Sequence, residues 1–353
     1  MKKKANTDVL RFVRPNILNL RPYEAKEIPC GVKLDANESP YPEKLSARTL
    51  KSIETNRYPD PQAEALRKAY AQKNLPAKIR GIEWLLHGNG SDELIFNLVC
   101  VFGGPVIYPV PTFSMYGKIA AALGQRVVEV PLQSGFDIDD SALLSAAKKQ
   151  KGGIIFLSSP NNPTGNSFSA QKILRVIEES GCVVVVDEAY QPFSARKSFM
   201  SCLGKYPNLA ILRTLSKVGL AALRVGFLIA EPGLVAQVNK VRLPFNVNSF
   251  SQAIAVDSIS RASGLRKHIR GIVSERKRLH RELSGIKGVT AYPSDANFIL
   301  FKVPDPERVY KEALRNGVLI RNLCEAVEGC LRVTVGSGKE NEKFIRAIKR
   351  TLE

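Results

Sequence analysis

Val183-Val-Val-Val186-Asp187-Glu188-Ala-Tyr190 sets four β-branched apolar residues directly before two carboxylates. Such a run reads as a buried strand, with the acids at its C-terminal end. A carboxylate held out of water there needs a cation or hydrogen-bond donors. Upstream, Ala170 to Ser180 has helical spacing. Before it, Ile154-Ile-Phe-Leu157 is another buried strand, running into the rigid polar turn Ser158-Ser-Pro160-Asn161-Asn162-Pro163-Thr164-Gly165. Open α/β sheets take ligands at that end of their strands. Downstream lies a third apolar run, Leu209-Ala-Ile-Leu212. Strands and helices alternate in this way from about residue 84 to 230, the pattern of a mainly parallel sheet with helices on its faces.

The third strand leads into Thr214-Leu-Ser216-Lys217, with Arg224 seven residues on. A lysine among apolar residues is desolvated, which favours its neutral, nucleophilic form. Two hydroxyls and a guanidinium beside it suit a phosphate. An amine for an aldehyde next to a phosphate cup is what pyridoxal 5′-phosphate (PLP) requires. The acid at the end of the valine strand would then face the protonated pyridine nitrogen. A metal-binding acidic pair, as in phosphotransferases, is the competing reading of Asp187 and Glu188. It needs a G-x-x-x-x-G-K-[ST] loop, which the chain lacks.

His87-Gly-Asn-Gly90-Ser91-Asp92-Glu93 follows the short strand Trp84-Leu-Leu86 and precedes apolar residues at helical spacing. A glycine-rich turn that opens a helix is an anion site. Ser91 as a helix cap is the simpler reading of the same residues, and the two are compatible. Arg57-Tyr58-Pro-Asp-Pro61 is a stiff turn that presents a tyrosine. Residues 1 to about 45 read as an irregular arm with one helical segment. Beyond Arg242-Leu-Pro-Phe-Asn246 the texture changes to two long helical patterns (about 249–262 and 265–283). Short strands (289–292, 298–303, 331–335) and a helix (306–316) complete a smaller α+β domain. The expected division is 1–45 as an arm and part of the small domain, 46–247 as the large PLP-binding domain, and 248–353 as the C-terminal small domain.

The 353 residues carry a formal net charge of +19, with 44% hydrophobic and 24% charged residues. The cations are spread along the chain without a nucleic-acid motif, so anionic small molecules are the expected partners rather than nucleic acid. No secretory signal opens the chain, and no run approaches the roughly 18 apolar residues of a membrane helix. Six cysteines without C-x-x-C spacing read as buried free thiols in a reducing cytoplasm. Three scattered histidines give no metal site.

Taken in order, the motifs resemble those of the histidinol-phosphate aminotransferase family, a branch of the fold-type-I PLP enzymes. They are Leu34-Asp-Ala-Asn37-Glu-Ser-Pro40, Arg57-Tyr-Pro-Asp-Pro61, Gly88-Asn-Gly-Ser-Asp-Glu-Leu-Ile95, Pro111-Thr-Phe-Ser-Met-Tyr116, Ser159-Pro-Asn-Asn-Pro-Thr-Gly165, Asp187-Glu-Ala-Tyr190, Thr214-Leu-Ser-Lys217, Arg242-Leu-Pro-Phe-Asn246, Ala296-Asn-Phe-Ile-Leu300 and Cys330-Leu-Arg-Val-Thr-Val-Gly336. The match runs along nearly the whole chain. It implies a large domain with a mainly parallel seven-stranded sheet and a smaller α+β domain, in a homodimer with shared active sites.

The resemblance also implies roles. Lys217 would hold PLP covalently and shuttle protons. Asp187 would pair with the pyridine nitrogen, while Asn162 and Tyr190 would bond the ring 3′-oxygen. Phe113 would stack on the ring, where the family often has tyrosine. Gly90, Ser91, Asp92, Thr214, Ser216 and Arg224 would hold the phosphate, with Tyr58 reaching it from the partner subunit. Arg332 would clamp a substrate carboxylate. Arg321 and the partner-derived Tyr23 would meet a substrate phosphate, and Asn37 would lie near the amino-acid end. The implied reaction is transamination between L-histidinol phosphate and 2-oxoglutarate in histidine biosynthesis. L-Threonine-O-3-phosphate decarboxylase and aromatic amino-acid aminotransferase are the alternatives on the same fold.

Overall fold

The structure is a computed structural model and describes residues 9–18, 20–22, 28–43, 45–150, 152–261 and 263–352. A first short strand, β1 (Val32–Lys33), lies outside the main sheet. That sheet has seven strands: β2 (Leu85–Asn89), β3 (Val106–Val110), β4 (Val127–Pro131), β5 (Ile154–Ser158), β6 (Val183–Asp187), β7 (Leu209–Thr214) and β8 (Val225–Ala230). Their spatial order is β2-β8-β7-β6-β5-β3-β4. Strands β7, β6, β5, β3 and β4 pair in parallel; β8 is antiparallel to both of its neighbours.

The valine run explains the central strands. Side chains alternate between the faces of a strand, so a strand buried on both faces must be apolar at every position. Val184 and Val186 enter the core on one face of the sheet, and Val185 enters the core on the other. Ile155 and Leu157 divide from Ile154 and Phe156 in the same way. The helices Gly90–Phe102 and Ala170–Glu179 each bury an apolar stripe: Leu94, Ile95, Leu98 and Val99 in the first, Ile173, Val176 and Ile177 in the second.

A second, four-stranded antiparallel sheet has the order β12-β13-β10-β9. It consists of β9 (Thr290–Ala291), β10 (Phe298–Lys302), β12 (Arg321–Asn322) and β13 (Cys330–Thr334). Strand β11 (Val318–Leu319) pairs instead with β1, in parallel. This ties the early chain to the late one, reinforced by Thr334 N–H donating to Leu34 O at 2.8 Å. The long helix Ser263–Ser284 joins the two parts through the buried Arg276, whose Nη1 donates to Phe193 O at 3.1 Å and Ala296 O at 2.6 Å.

Three details depart from the sequence expectation. Strand β2 continues through His87-Gly-Asn89, and the helix starts at Gly90 with no separate loop. Gly90 turns the chain there with φ of 75°, a value glycine adopts without strain. Ser91 lies inside that helix and is not its cap; Asn89 occupies the cap position without a side-chain cap bond. Finally, only Cys182 and Cys330 of the six free thiols are buried, and Cys100 is exposed. Its neighbours Val99 and Val101 suggested an apolar setting, but Cys100 falls on the solvent side of the helix. Among the described residues no helix is long and apolar enough to cross a membrane.

Candidate active site

The parallel strands β5, β6 and β7 end side by side at Ser158, Asp187 and Thr214. Strand β8 runs the other way, so its start, with Arg224 just before it, reaches the same edge opposite Thr214. Strand β2, antiparallel to β8, ends there too, with Asn89 opposite Val225. The ends of five strands therefore meet around one open cavity. Its lining includes Ser91, Asp92, Phe113, Asn162, Asp187, Tyr190, Thr214, Ser216, Lys217 and Arg224, every one named from the sequence. Ser158 and Ala189 also line it and were not named. Ser158 was legible as the first polar residue after the apolar run Ile154–Leu157; the structure sets it in register with Asp187.

One wall is built by the N-terminus of the helix Gly90–Phe102. Gly90 N–H donates to Arg224 O at 2.7 Å, and Arg224 takes the left-handed conformation, with φ of 52°. A Cβ on Gly226 would stand 2.6 Å from Ser91 N, and one on Gly90 would stand 2.6 Å from Arg224 Nη2. Glycine at 226 is therefore what lets this helix end close on β8, and at 90 it is the positive φ that calls for glycine. Arg224 pairs with Asp92 at 3.0 Å, both half-exposed. Thr214 Oγ1 lies 2.9 Å from Ser216 Oγ and accepts Ser216 N–H at 3.1 Å. The helix N-terminus at Ser91 and Asp92, two hydroxyls and a guanidinium form an anion cup.

Asp187, buried at 4% exposure, forms the floor. Its Oδ1 accepts Ala189 N–H at 3.0 Å and its Oδ2 accepts the Tyr116 hydroxyl at 2.7 Å. Burial pushes its pKa up to about 6, against the pull of those two donors. No cation pairs with it among the described residues. Glu188, next in sequence, turns away: it pairs with Arg213 at 2.6 Å and takes Ser198 Oγ and Phe199 N–H, each at 2.7 Å. The two acids thus do not form one site, and the described residues hold no cluster of His, Cys, Asp or Glu able to bind a metal.

Lys217 is half-buried in a short 3₁₀ turn after β7, with Nζ 5.8 Å from the centre of the Tyr190 ring. The Tyr190 hydroxyl accepts Asn37 Nδ2–H at 3.0 Å. Arg332 donates from Nη1 to Asn162 Oδ1 and from Nη2 to Asp35 O, the latter at 2.7 Å. Arg332 of the second sheet and Asn37 are therefore bonded to residues that line the cavity. Arg321 lies directly opposite Arg332 in the antiparallel β12–β13 pair, which sets both side chains on one face. Tyr58 does not reach this cavity. It is 82% exposed and stacks on Phe245 with ring centres 4.5 Å apart. Tyr23 lies outside the described residues.

The donor set fits PLP. The anion cup suits its phosphate, Phe113 offers a ring face, Lys217 an amine for its aldehyde, and Asp187 a buried carboxylate for its ring nitrogen. Sequence reasoning missed Tyr116, the one side-chain donor to Asp187 among the described residues. Its i, i+3 spacing from Phe113 was the available signal.

The chain belongs to the aminotransferase class I and II family, whose model matches residues 29–348. It is 41% identical, over 97% of its length and 97% of the relative's, to histidinol-phosphate aminotransferase 2 of Nitrosococcus oceani. Two solved structures share the fold. One is a histidinol-phosphate aminotransferase from Sinorhizobium meliloti in complex with pyridoxal-5′-phosphate, at 22% identity and a TM-score of 0.85 over 96% of this chain and 97% of that one. The other is L-threonine-O-3-phosphate decarboxylase from Porphyromonas gingivalis, at 21% identity and a TM-score of 0.77 over 91% and 99%.

Proposed function

We propose that this protein is a PLP-dependent aminotransferase that moves an amino group between L-histidinol phosphate and 2-oxoglutarate in histidine biosynthesis. The products are imidazole acetol phosphate and L-glutamate. The observation that carries the reaction class is the single cavity holding Lys217, Asp187 and the anion cup. The donor is supported by the 41% identity to a histidinol-phosphate aminotransferase.

When bound, PLP supplies an aldehyde for the amine and a ring that draws electrons from the carbon bearing it. In the proposed division of labour, the cup formed by Gly90, Ser91, Asp92, Thr214, Ser216 and Arg224 holds its phosphate. Asp187 faces the ring nitrogen and favours its protonated form. Phe113 covers one ring face, while Asn162 and Tyr190 orient the 3′-oxygen. Lys217 would supply the amine for the aldehyde and, when free, would take and return the proton at the substrate's amine-bearing carbon. Arg321 and Tyr23 meet the substrate phosphate, Arg332 meets the carboxylate of the 2-oxo acid, and Asn37 lies at the amino-acid end.

The test is a donor panel with 2-oxoglutarate: histidinol phosphate, phenylalanine and threonine phosphate. Histidinol phosphate should give the highest kcat/KM, with 2-oxoglutarate consumed and no carbon dioxide released. Carbon dioxide from threonine phosphate, or phenylalanine as the best donor, would replace this reading with one of its alternatives.

The active unit in this reading is a cytoplasmic homodimer, with Tyr58 and Tyr23 serving the partner's site. The outward Tyr58 supports this, as do the exposed Val9, Leu10, Phe12 and Leu243, an apolar set that suits a partner surface. Mixing an inactive Lys217→Ala chain with an inactive Tyr58/Tyr23 double mutant should restore activity, since one site of the mixed dimer is intact. The domain division at residues 45 and 247 stands on the same footing. It is supported by the main sheet lying between Leu85 and Ala230 and by β1 joining β11.

A further inference from the structure

We propose that Tyr116 is a positioning residue for the cofactor: its hydroxyl fixes the Asp187 carboxylate and its ring fixes the Phe113 face, so one side chain aligns both. This rests on the reading of the cavity as a PLP site. The two bonds to Asp187 fall on different oxygens, Ala189 N–H on Oδ1 and the Tyr116 hydroxyl on Oδ2. Together they define the plane of a group whose terminal torsion is otherwise broad and two-fold. The Ala189 bond comes from the loop that Asp187 itself begins. The Tyr116 bond comes from a different element, the helix Met115–Ala122 that follows β3. Among the described residues it alone ties the carboxylate to the neighbouring part of the sheet.

Tyr116 is itself immobilised. It is fully buried, stacks on Phe156 with ring centres 4.8 Å apart and 11° between the planes, and meets Phe113 edge-on at 5.6 Å. Burial and the neighbouring Asp187 charge hold its phenol well above the ordinary value, so it remains a donor. The other charges near Asp187 are accounted for. Asp92 and Glu188 both disfavour its ionised form, but each has its own arginine, Arg224 and Arg213. Lys217 and Tyr190 share the cavity with it. That leaves the Tyr116 hydroxyl as the side-chain group that directly stabilises the ionised carboxylate.

The test uses the full chain carrying Tyr116→Phe, which keeps the ring and removes the donor. In cofactor-free protein, carbon-13 NMR of labelled aspartate follows the Asp187 carboxyl, assigned by its loss in Asp187→Asn. Its titration midpoint should rise by about one pH unit, the shift expected from losing one bond to a charged group. With nitrogen-15-labelled PLP bound, the ring-nitrogen resonance should move toward its neutral position. Turnover should fall roughly tenfold to a hundredfold with KM little changed. A carboxyl titration and ring-nitrogen resonance both unmoved in folded Tyr116→Phe overturn the inference. If that variant does not fold, 3-fluorotyrosine at position 116 keeps the shape and sharpens the donor. The midpoint should then fall, and an unmoved midpoint overturns the inference equally. Failure of the wild-type chain to bind PLP would instead overturn the proposed function, while the cofactor-free titration still decides the role of Tyr116.

Discussion

The floor of the cavity and its rim are built on different plans. The floor comes from strand ends and the residues just after them: Ser158, Asp187, Thr214, Ser216 and Lys217. Ser158, Asp187 and Thr214 are aimed by the strands that end on them, and Ser216 and Lys217 by the short turn that follows β7. The rim comes from Asn37 and Arg332, held by bonds between segments nearly three hundred residues apart, such as Arg332 to Asp35 O, with Arg321 opposite Arg332 in the second sheet. Its polar groups reach the cavity lining through Asn37 to Tyr190 and Arg332 to Asn162. A floor fixed by a rigid sheet suits chemistry common to every substrate. A rim made by a second sheet suits recognition that differs between the two substrates of a transaminase.

The sharpest way to break this contrast is at Lys217. Lys217→Ala should lose about a thousandfold or more in turnover with any donor. Borohydride reduction of the wild type, followed by peptide mapping, should mark Lys217; a mark on another lysine would move the centre of the floor. Next in size is Asp187→Asn, which should slow both half-reactions alike by on the order of a hundred- to a thousandfold. Near-normal rates would show that the floor does not depend on that charge.

Asp187 also makes a prediction about stability. Its folded pKa of about 6 lies above the ordinary 3.8. Between those values the folded chain keeps a proton that the unfolded chain has lost. The stability this group contributes is therefore full below about pH 4 and declines as pH rises to about 6, by about 3 kcal/mol. His87, buried and held down to about 4, works oppositely, losing stability as pH falls from about 6.5 toward 4. Urea unfolding of cofactor-free wild type against Asp187→Asn isolates the first effect, because His87 is common to both. Parallel pH curves would mean that the floor bears no such cost.

The rim should respond selectively and least. Arg321→Ala should lose roughly tenfold to a hundredfold in kcat/KM with histidinol phosphate and little with an unphosphorylated donor. Arg332→Ala should lose most with glutamate and 2-oxoglutarate. Equal losses in both half-reactions would erase the distinction between floor and rim.

The sequence by itself determined most of the floor. Short, β-branched apolar runs bounded by turn residues read as strands buried on both faces, and a polar residue at the end of such a run lies at a sheet edge. That is why Asp187 was legible from its own strand, whereas Asn162 was named only through the family resemblance and Lys217 through its setting beside Ser216 and Arg224. Sequence could not decide which way two adjacent acids point. Asp187 faces the cavity while Glu188 is taken by Arg213, a choice made by an arginine on the neighbouring strand. Nor could it show that β8 runs antiparallel, the reversal that brings Arg224 to the start of the helix at Gly90. The same holds for Tyr116 beneath Asp187 and for Arg321 beside Arg332. Local pattern carries the periodicity of one element, whereas these contacts depend on which elements become neighbours, and only the packing of the whole chain decides that.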